Sequence, residues 1–341
     1  MTFQLQVTRQ GGPEVLKLIE TPDAPLPAGH LRIKVKAAGV NFADLMMRMG
    51  LYPEAPKTPF TPGYEIAGEV IEIGSDVHRF KMGDRVLSGT KFGGYTSQAV
   101  LPEYGVRKIP STLSYEEAAG ILVNFLTAAT ALEEMGRVRA GDRVLIPSAA
   151  GGVGTAAVQI AAKAGAQVTG LVSSKAKVEL VRSLGASRVM DYNEWNNLNE
   201  KEGYQIILDA TGGASLKRAF KRLAPTGRLI TFGASSIVQG SKRSLKDVLS
   251  LALNTALFTP YQLMAQNKGV FGLNMLQLFD HPGSEKTSQM LKVLDRILNR
   301  FEKGDFKVIL GKTFSLEKGG EAHDWLQNRS NTGKVVLIPP T

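Results

Sequence analysis

The chain of 341 residues has no cysteine, which removes disulfides, thiolate nucleophiles and every metal site built on sulfur. Histidine is almost as scarce. His30, His78, His281 and His323 are spread along the chain with no i, i+4 pair, so they read as surface or packing residues and no metal site is expected. Long apolar runs are missing too. The nearest, residues 248–258, is interrupted by Ser250, Asn254 and Thr255 and falls short of the ~18 residues that a membrane span needs. The first seven residues have neither a basic stretch leading into an apolar run nor a small-residue cleavage site. They read as a strand of the mature fold, and a cytoplasmic location is the expectation.

Aromatics make up only 7% of the residues, and no basic run is interleaved with them, so the stacking platforms of nucleic-acid binders are not expected. Positive charge is in excess, with 41 Lys and Arg against 31 Asp and Glu and a net charge of +10. The basic residues are scattered. Modest groups at Lys217, Arg218, Lys221 and Arg222 and at Lys242, Arg243 and Lys246 read as helix surface, and the rest of the field helps to draw in a polyanionic cofactor. The length, with 43% hydrophobic residues, suits two cores.

The punctuation changes near residue 122. Before it, short β-rich runs at 31–37, 66–73 and 85–87 are separated by Gly and Pro, as in a compact, irregular β-rich domain. After it, apolar strands at 142–146, 167–172, 188–191, 206–209 and 227–232 alternate with helical stretches, the pattern of a parallel sheet with helices on both faces. A further strand-like run lies at 270–273. An amphipathic helix carrying Met290, Leu291, Leu294, Ile297, Leu298 and Phe301 then leads to a β-rich tail at 334–338.

The most informative stretch follows the first of these strands. Val144-Leu145-Ile146 runs into Pro147-Ser148-Ala149-Ala150-Gly151-Gly152-Val153-Gly154, and a helix is expected from Thr155. Glycines there let a diphosphate approach the backbone and the helix N-terminus. Ala149 replaces the first of the three usual glycines, so by itself the pattern is either a dinucleotide turn or a plain strand-to-helix turn. About 20 residues later, where an NAD site carries an acidic residue, the chain has Ser173-Ser174-Lys175-Ala176-Lys177. Hydroxyls and lysines suit a 2′-phosphate, which favours NADP, although the lysines also fit the solvated face of the next helix. Ligands of such sheets sit outside the carboxyl ends of the strands, so residues 209–213 and 232–235 are expected on the same crevice.

The runs Ala38-Gly39-Val40-Asn41-Phe42-Ala43-Asp44, Arg48-Met49-Gly50-Leu51-Tyr52-Pro53, Pro62-Gly63-Tyr64-Glu65-Ile66-Ala67-Gly68, Gly83-Asp84-Arg85-Val86 and Asn331-Thr332-Gly333-Lys334-Val335-Val336, taken in order with the glycine turn, resemble the quinone oxidoreductase branch of the medium-chain dehydrogenase/reductases. The stretch 240–264 with 269–276 is similar to the vesicle amine transport protein homologues of that branch. The resemblance implies an α/β fold with a GroES-like catalytic domain made by both chain ends (1–122 and 286–341) around a central Rossmann domain (123–285) with a doubly wound parallel sheet. It places Asn41 and Thr127 at the nicotinamide end. Gly151, Gly152, Val153 and Gly154 fall at the diphosphate, Ser173, Ser174 and Lys177 at the 2′-phosphate, and Tyr192 at the adenine. Thr211, Phe232 and Gly233 line the crevice, and Arg329 comes from a C-terminal loop. Where many relatives follow the adenine-side tyrosine with arginine, this chain has Asn193, one cation fewer for the 2′-phosphate.

In zinc-dependent relatives the positions of Asn41 and Tyr64 carry a cysteine and a histidine ligand, so the resemblance implies a zinc-independent enzyme. Hydride delivery from NADPH to a quinone or an α,β-unsaturated carbonyl needs a positioned nicotinamide and a dry pocket more than a Lewis acid. Tyr52 is the candidate for substrate contact or proton donation, against a packing role in its proline-rich loop or proton delivery by solvent. Tyr64 reads as a filler of the vacated volume. Phe42, Leu45, Met46, Leu122, Leu249 and Phe258 suggest an apolar cleft for the substrate. The family also implies a homodimer through the strand near 270–273. A second reading is an NADPH-binding module with little turnover that touches a membrane or a partner. It rests on the segment 245–258, which is apolar over more than one helical face and has Lys242, Arg243 and Lys246 at its head.

Overall fold

The computed structural model describes residues 1–198, 202–233, 235, 258–279 and 283–340. Lys242, Arg243, Lys246, Leu249, His281 and the segment 245–257, on which the membrane reading rests, lie outside the described residues. No described helix is long and apolar enough to cross a membrane. The described chain forms two compact units, one from residues 1–123 with 283–340 and one from the residues between them.

The unit of the chain ends is built on a seven-stranded sheet. Its strands are β3 (His30–Val40), β4 (Glu65–Ile73), β5 (Arg85–Gly89), β7 (Val106–Lys108), β14 (Leu310–Ser315) and β15 (Lys334–Ile338) in the order β14-β15-β3-β4-β5-β7, with β6 (Gln98–Pro102) also pairing β3. A separate hairpin joins β1 (Thr2–Val7) to β2 (Leu16–Thr21). Along the first half of β3, Leu31, Ile33 and Val35 are buried and their neighbours are not, the period-2 pattern of a strand with one packed face. The C-terminal strand β15 runs antiparallel to β3 with Val335 opposite Val40. Both chain ends therefore make this unit, and Lys334 comes beside residues 39–41. Helix α1 (Phe42–Arg48) starts at a capping box in which Asp44 Oδ2 accepts the Asn41 N–H at 2.8 Å. Helices α2 (Tyr115–Ala118), α9 (Glu285–Glu302) and α10 (Gly319–Gln327) complete the unit. The apolar stripe expected at 290–301 is the buried face of α9.

The central unit holds a six-stranded parallel sheet of β8 (Arg143–Ile146), β9 (Gln167–Val172), β10 (Arg188–Asp191), β11 (Tyr204–Asp209), β12 (Leu223–Thr231) and β13 (Gly269–Gly272). The order β10-β9-β8-β11-β12-β13 is the doubly wound arrangement, which reverses between β8 and β11. Val144, Leu145 and Ile146 are all buried, as strands covered on both faces must be. Helices α3 (Leu122–Ala129), α4 (Gly152–Lys163), α5 (Val178–Ser183), α6 (Tyr192–Asn197), α7 (Ala214–Lys221) and α8 (Pro260–Gln266) accompany it. Helix α4 begins three residues before the expected Thr155. Gly151 is its N-cap, and the Gly151 carbonyl accepts the Thr155 N–H at 2.9 Å, so the glycines belong to the first helical turn despite their poor helix propensity.

Candidate cofactor site and active site

The turn between β8 and α4 is shaped by what it cannot accommodate. A Cβ on Gly154 would run into the Ser148 carbonyl oxygen and stand 2.8 Å from Ala149 Cα, and one on Gly152 would stand 2.7 Å from the Asn124 side chain. Ser148 takes the left-handed conformation (φ 52°), and its N–H donates to the Tyr192 hydroxyl at 3.0 Å. The N–H groups of Gly152, Val153 and Gly154 open a twelve-residue helix, where no intrahelical acceptor exists for them and the helix dipole favours negative charge. These features fit a dinucleotide diphosphate.

The other expected contacts of the central unit follow the ends of neighbouring strands. Ser173, Ser174 and Lys177 come directly after β9, with both serines exposed and Lys177 half-buried. Tyr192 opens α6 after β10, and its hydroxyl is engaged by the turn itself. At the end of β11, buried Asp209 accepts the Gly212 N–H at 2.8 Å and the Ser215 hydroxyl at 2.6 Å, fixing the loop that carries Thr211. Burial raises the Asp209 pKa and these hydrogen bonds oppose the rise. Phe232 donates its N–H to the Asp209 carbonyl at 3.0 Å, and a Cβ on Gly233 would stand 2.7 Å from the Ala210 carbonyl oxygen. Residues 209–212 and 232–233 are thus packed together. Thr127 is buried on α3.

In the unit of the chain ends, Asn41 sits in a closed polar cluster. Its Nδ2 donates to Glu65 Oε1 at 3.0 Å and to the Gly39 carbonyl at 3.4 Å, and its Oδ1 accepts Lys334 Nζ at 2.7 Å. Lys334 also forms a short ion pair with Glu65 Oε1, while Glu65 Oε2 accepts the Val123 N–H at 2.8 Å. Lys334 and Glu65 are 2% and 1% exposed, a buried pair that is tolerable only because its hydrogen bonds are complete. Both amide protons of Asn41 and its Oδ1 are thus engaged by protein partners.

Tyr64 is buried, with its hydroxyl 3.5 Å from Met47 Sδ and its ring 5.7 Å from that of Phe92. Burial holds its phenol protonated far beyond neutrality. A committed amide, an ion-paired carboxylate and a neutral phenol are a poor donor set for zinc, and an ammonium already occupies the cluster. Among the described residues, no group of three or more His, Asp or Glu is placed to hold a metal.

Tyr52 lines a cavity of about 300 Å³ together with Gln10, Met47, Gly50, Lys57 and Phe60. Burial raises its pKa, and a hydrogen bond from Tyr64 works in the opposite direction. Arg329 is exposed and left-handed (φ 55°) beyond the end of α10. Of the apolar residues expected in a cleft, Leu45 is fully enclosed in the core, because it lies on the face of α1 that packs inward. Phe258 is half-buried and packs against the core of the central unit, its ring tilted at 4.7 Å from that of Phe220. Asn124, Glu65 and Lys334 take part in these sites without having been singled out. The available signal was a charge bordering an apolar strand, as Glu65 borders Ile66-Ala67 and Lys334 borders Val335-Val336-Leu337.

Known proteins share this architecture. Residues 152–296 match the zinc-binding dehydrogenase family and residues 27–111 the alcohol dehydrogenase GroES-like domain. The human synaptic vesicle membrane protein VAT-1 homolog is 33% identical over 98% of this chain and 86% of its own length. A Pseudomonas aeruginosa quinone oxidoreductase is 33% identical over 99% of this chain and all of its own. The crystal structure of Escherichia coli quinone oxidoreductase complexed with NADPH superposes with a TM-score of 0.84 at 25% identity, covering 99% of this chain and 100% of that one.

Proposed function

The chain belongs to the medium-chain dehydrogenase/reductase superfamily and is an NADPH oxidoreductase of that type, and we propose that it reduces quinones or α,β-unsaturated carbonyls without zinc. The observation that carries this reading is the closed Asn41, Glu65 and Lys334 cluster, whose donors are already spent on one another. Alcohol oxidation calls for a Lewis acid at the oxygen, whereas reduction of a conjugated carbonyl calls for orientation and exclusion of water. NADPH bound by the central unit supplies the hydride.

The residues divide the remaining tasks. Gly151, Gly152, Val153 and Gly154 hold the diphosphate through backbone N–H groups. Ser173, Ser174 and Lys177 take the 2′-phosphate, the lysine by charge and the serines by hydrogen bonds. Tyr192 supports the turn beside the adenine end, and Thr211, Phe232 and Gly233 border the nucleotide. Thr127 acts near the nicotinamide end, and Arg329 lies near the cofactor from the C-terminal loop. Asn41 stands beside the nicotinamide ribose and ring. Tyr52 hydrogen-bonds the substrate carbonyl, and its phenol or solvent delivers the proton as charge develops on that oxygen. The cavity beside Tyr52 is in the size range of a small ring-bearing substrate.

NADPH consumption with a panel of quinones and enones, with and without a strong chelator, tests this reading. Turnover that the chelator leaves unchanged is expected. No turnover with any acceptor at saturating NADPH overturns the substrate class, and loss of activity on chelation overturns zinc independence. A homodimer through β13 is the assembly we propose. Among the described residues that strand pairs on one side only, and Phe271, Tyr261 and Met264 lie exposed around it. A monomer at micromolar concentration by analytical ultracentrifugation contradicts it.

A further inference from the structure

A second buried polar cluster in the unit of the chain ends takes no part in the reading above. Asp44, Arg48, Tyr95 and His323 are all fully enclosed. The Tyr95 hydroxyl donates to Asp44 Oδ2 at 2.9 Å and lies 3.1 Å from His323 Nε2. Arg48 Nη2 donates to Gln327 Oε1 at 2.8 Å. Gln327 is one turn beyond His323 on α10, so the guanidinium lies along the helix face that carries the imidazole. Among the described residues, the only enclosed side-chain nitrogens or oxygens without a hydrogen-bond partner are Arg48 Nε, Arg48 Nη1 and His323 Nδ1.

Two idle donors on a buried guanidinium call for a counter-charge. Asp324 and Glu14 attract Arg48 from a distance. The enclosed negative charge nearest in sequence is Asp44, four residues earlier on α1. Its oxygens are taken by the Asn41 and Gly63 N–H groups and by Tyr95.

The protons along this chain have two consistent arrangements. The phenol of Tyr95 has one proton. When Asp44 is ionised, that proton goes to the carboxylate, His323 must donate from Nε2, and the neutral ring leaves Nδ1 a bare acceptor. One additional proton reverses every bond. Asp44 then donates to Tyr95, Tyr95 donates to Nε2, and Nδ1–H joins Arg48 Nε–H and Nη1–H as a third idle donor.

We propose that Arg48 and His323 form an internal site for a small monovalent anion such as chloride, filled together with one proton that passes through His323 and Tyr95 to Asp44. The proton enters at Nδ1, the Nε2 proton moves to Tyr95 Oη, and the phenol proton moves to Asp44 Oδ2. The proton that neutralises Asp44 balances the charge of the incoming anion, so the net charge of the cluster is the same before and after. Burial pushes the Asp44 pKa up to about 6, against hydrogen bonds from Asn41, Tyr95 and Gly63 and the charge of Lys334. Burial and the Arg48 charge keep His323 neutral. The other ionisable neighbours include Glu65, whose charge acts on Tyr95, Tyr64, whose phenol stays protonated, and Tyr52, on which the Asp44 charge acts.

Bromide-soaked crystals of the full chain at pH 5 and pH 8, read by anomalous diffraction, test the proposal. A bromide within hydrogen-bond reach of Arg48 and His323 is expected at pH 5. Above the Asp44 midpoint the affinity should fall about tenfold per pH unit, so little is expected at pH 8. Asp44→Asn, whose amide can donate to Tyr95 but gives up the Asn41 N–H bond that Asp44 Oδ2 also accepts, should hold bromide at both values in crystals that keep the wild-type fold. A water or nothing at pH 5 in the wild-type chain, or equal bromide occupancy at the two pH values, overturns the proposal.

Discussion

The two sites are built on opposite plans. The glycine turn at 147–154 is made of backbone within a few consecutive residues, and its defining requirement is the lack of a Cβ on Gly154. The floor around Asn41 is made of side chains, with Lys334 bonded to a residue 293 positions away. A backbone site tolerates changes of polarity and fails on added bulk. A side-chain site accepts bulk more readily and fails when one charge is removed. The first plan suits a cofactor whose anionic diphosphate can be met by N–H groups alone. The second suits a group that must hold one orientation, because every rotamer in it is set by a partner.

The largest effect that can test this contrast lies in the side-chain site. Lys334→Met strands the buried Glu65 carboxylate and should cost about 3–5 kcal/mol in denaturant unfolding. Adding Glu65→Gln should restore much of that loss, since the stranded charge is gone. A single variant within about 1 kcal/mol of wild type breaks the contrast. On the backbone side, Gly154→Val changes no charge, yet it should reduce NADPH affinity by about 100-fold or more through displacement of the turn, as read by fluorescence titration. Gly151→Ala should do far less, because a Cβ there meets only the Ser148 carbonyl at 3.2 Å. Equal losses in the two glycine variants would show that the turn answers to flexibility and not to contact.

The same contrast explains what could be read from the sequence. The turn was legible because its residues are adjacent and because β8 and β9 announce themselves as short apolar runs. The strand alternation likewise implied the doubly wound sheet, and the ordered motifs implied that β15 returns to the unit containing β3. The helix starts three residues earlier than propensity implies, since propensity argues against glycine while the N-cap geometry at Gly151 uses it. The roles of Glu65 and Lys334 were not legible. Each is a charge beside an apolar strand, and only the β15–β3 pairing brings them together. Leu45 lies in the core and not in a cleft, and spacing along α1 does not say which face is packed. Tyr192 was expected to meet adenine, but its hydroxyl also supports Ser148 across a sequence separation of 44, a contact that no local pattern encodes.

The smallest of these effects probes the one place where the backbone-built site relies on side chains. Lys177, half-buried after β9, is the cation proposed for the 2′-phosphate. One charge-assisted contact to a phosphate in partly screened surroundings is worth about 1.4 kcal/mol, or about tenfold. Lys177→Gln should therefore lower the preference for NADPH over NADH by about tenfold and leave NADH affinity unchanged, because NADH has an uncharged hydroxyl in place of the 2′-phosphate. Paired titrations of the two nucleotides check this. A parallel loss for both would assign Lys177 to the fold of the β9–α5 turn instead of to the phosphate. An unchanged ratio would leave the choice of nucleotide to Ser173 and Ser174. In that case even this corner of the site would be read by short hydroxyl contacts close to the backbone, in keeping with the plan of the glycine turn.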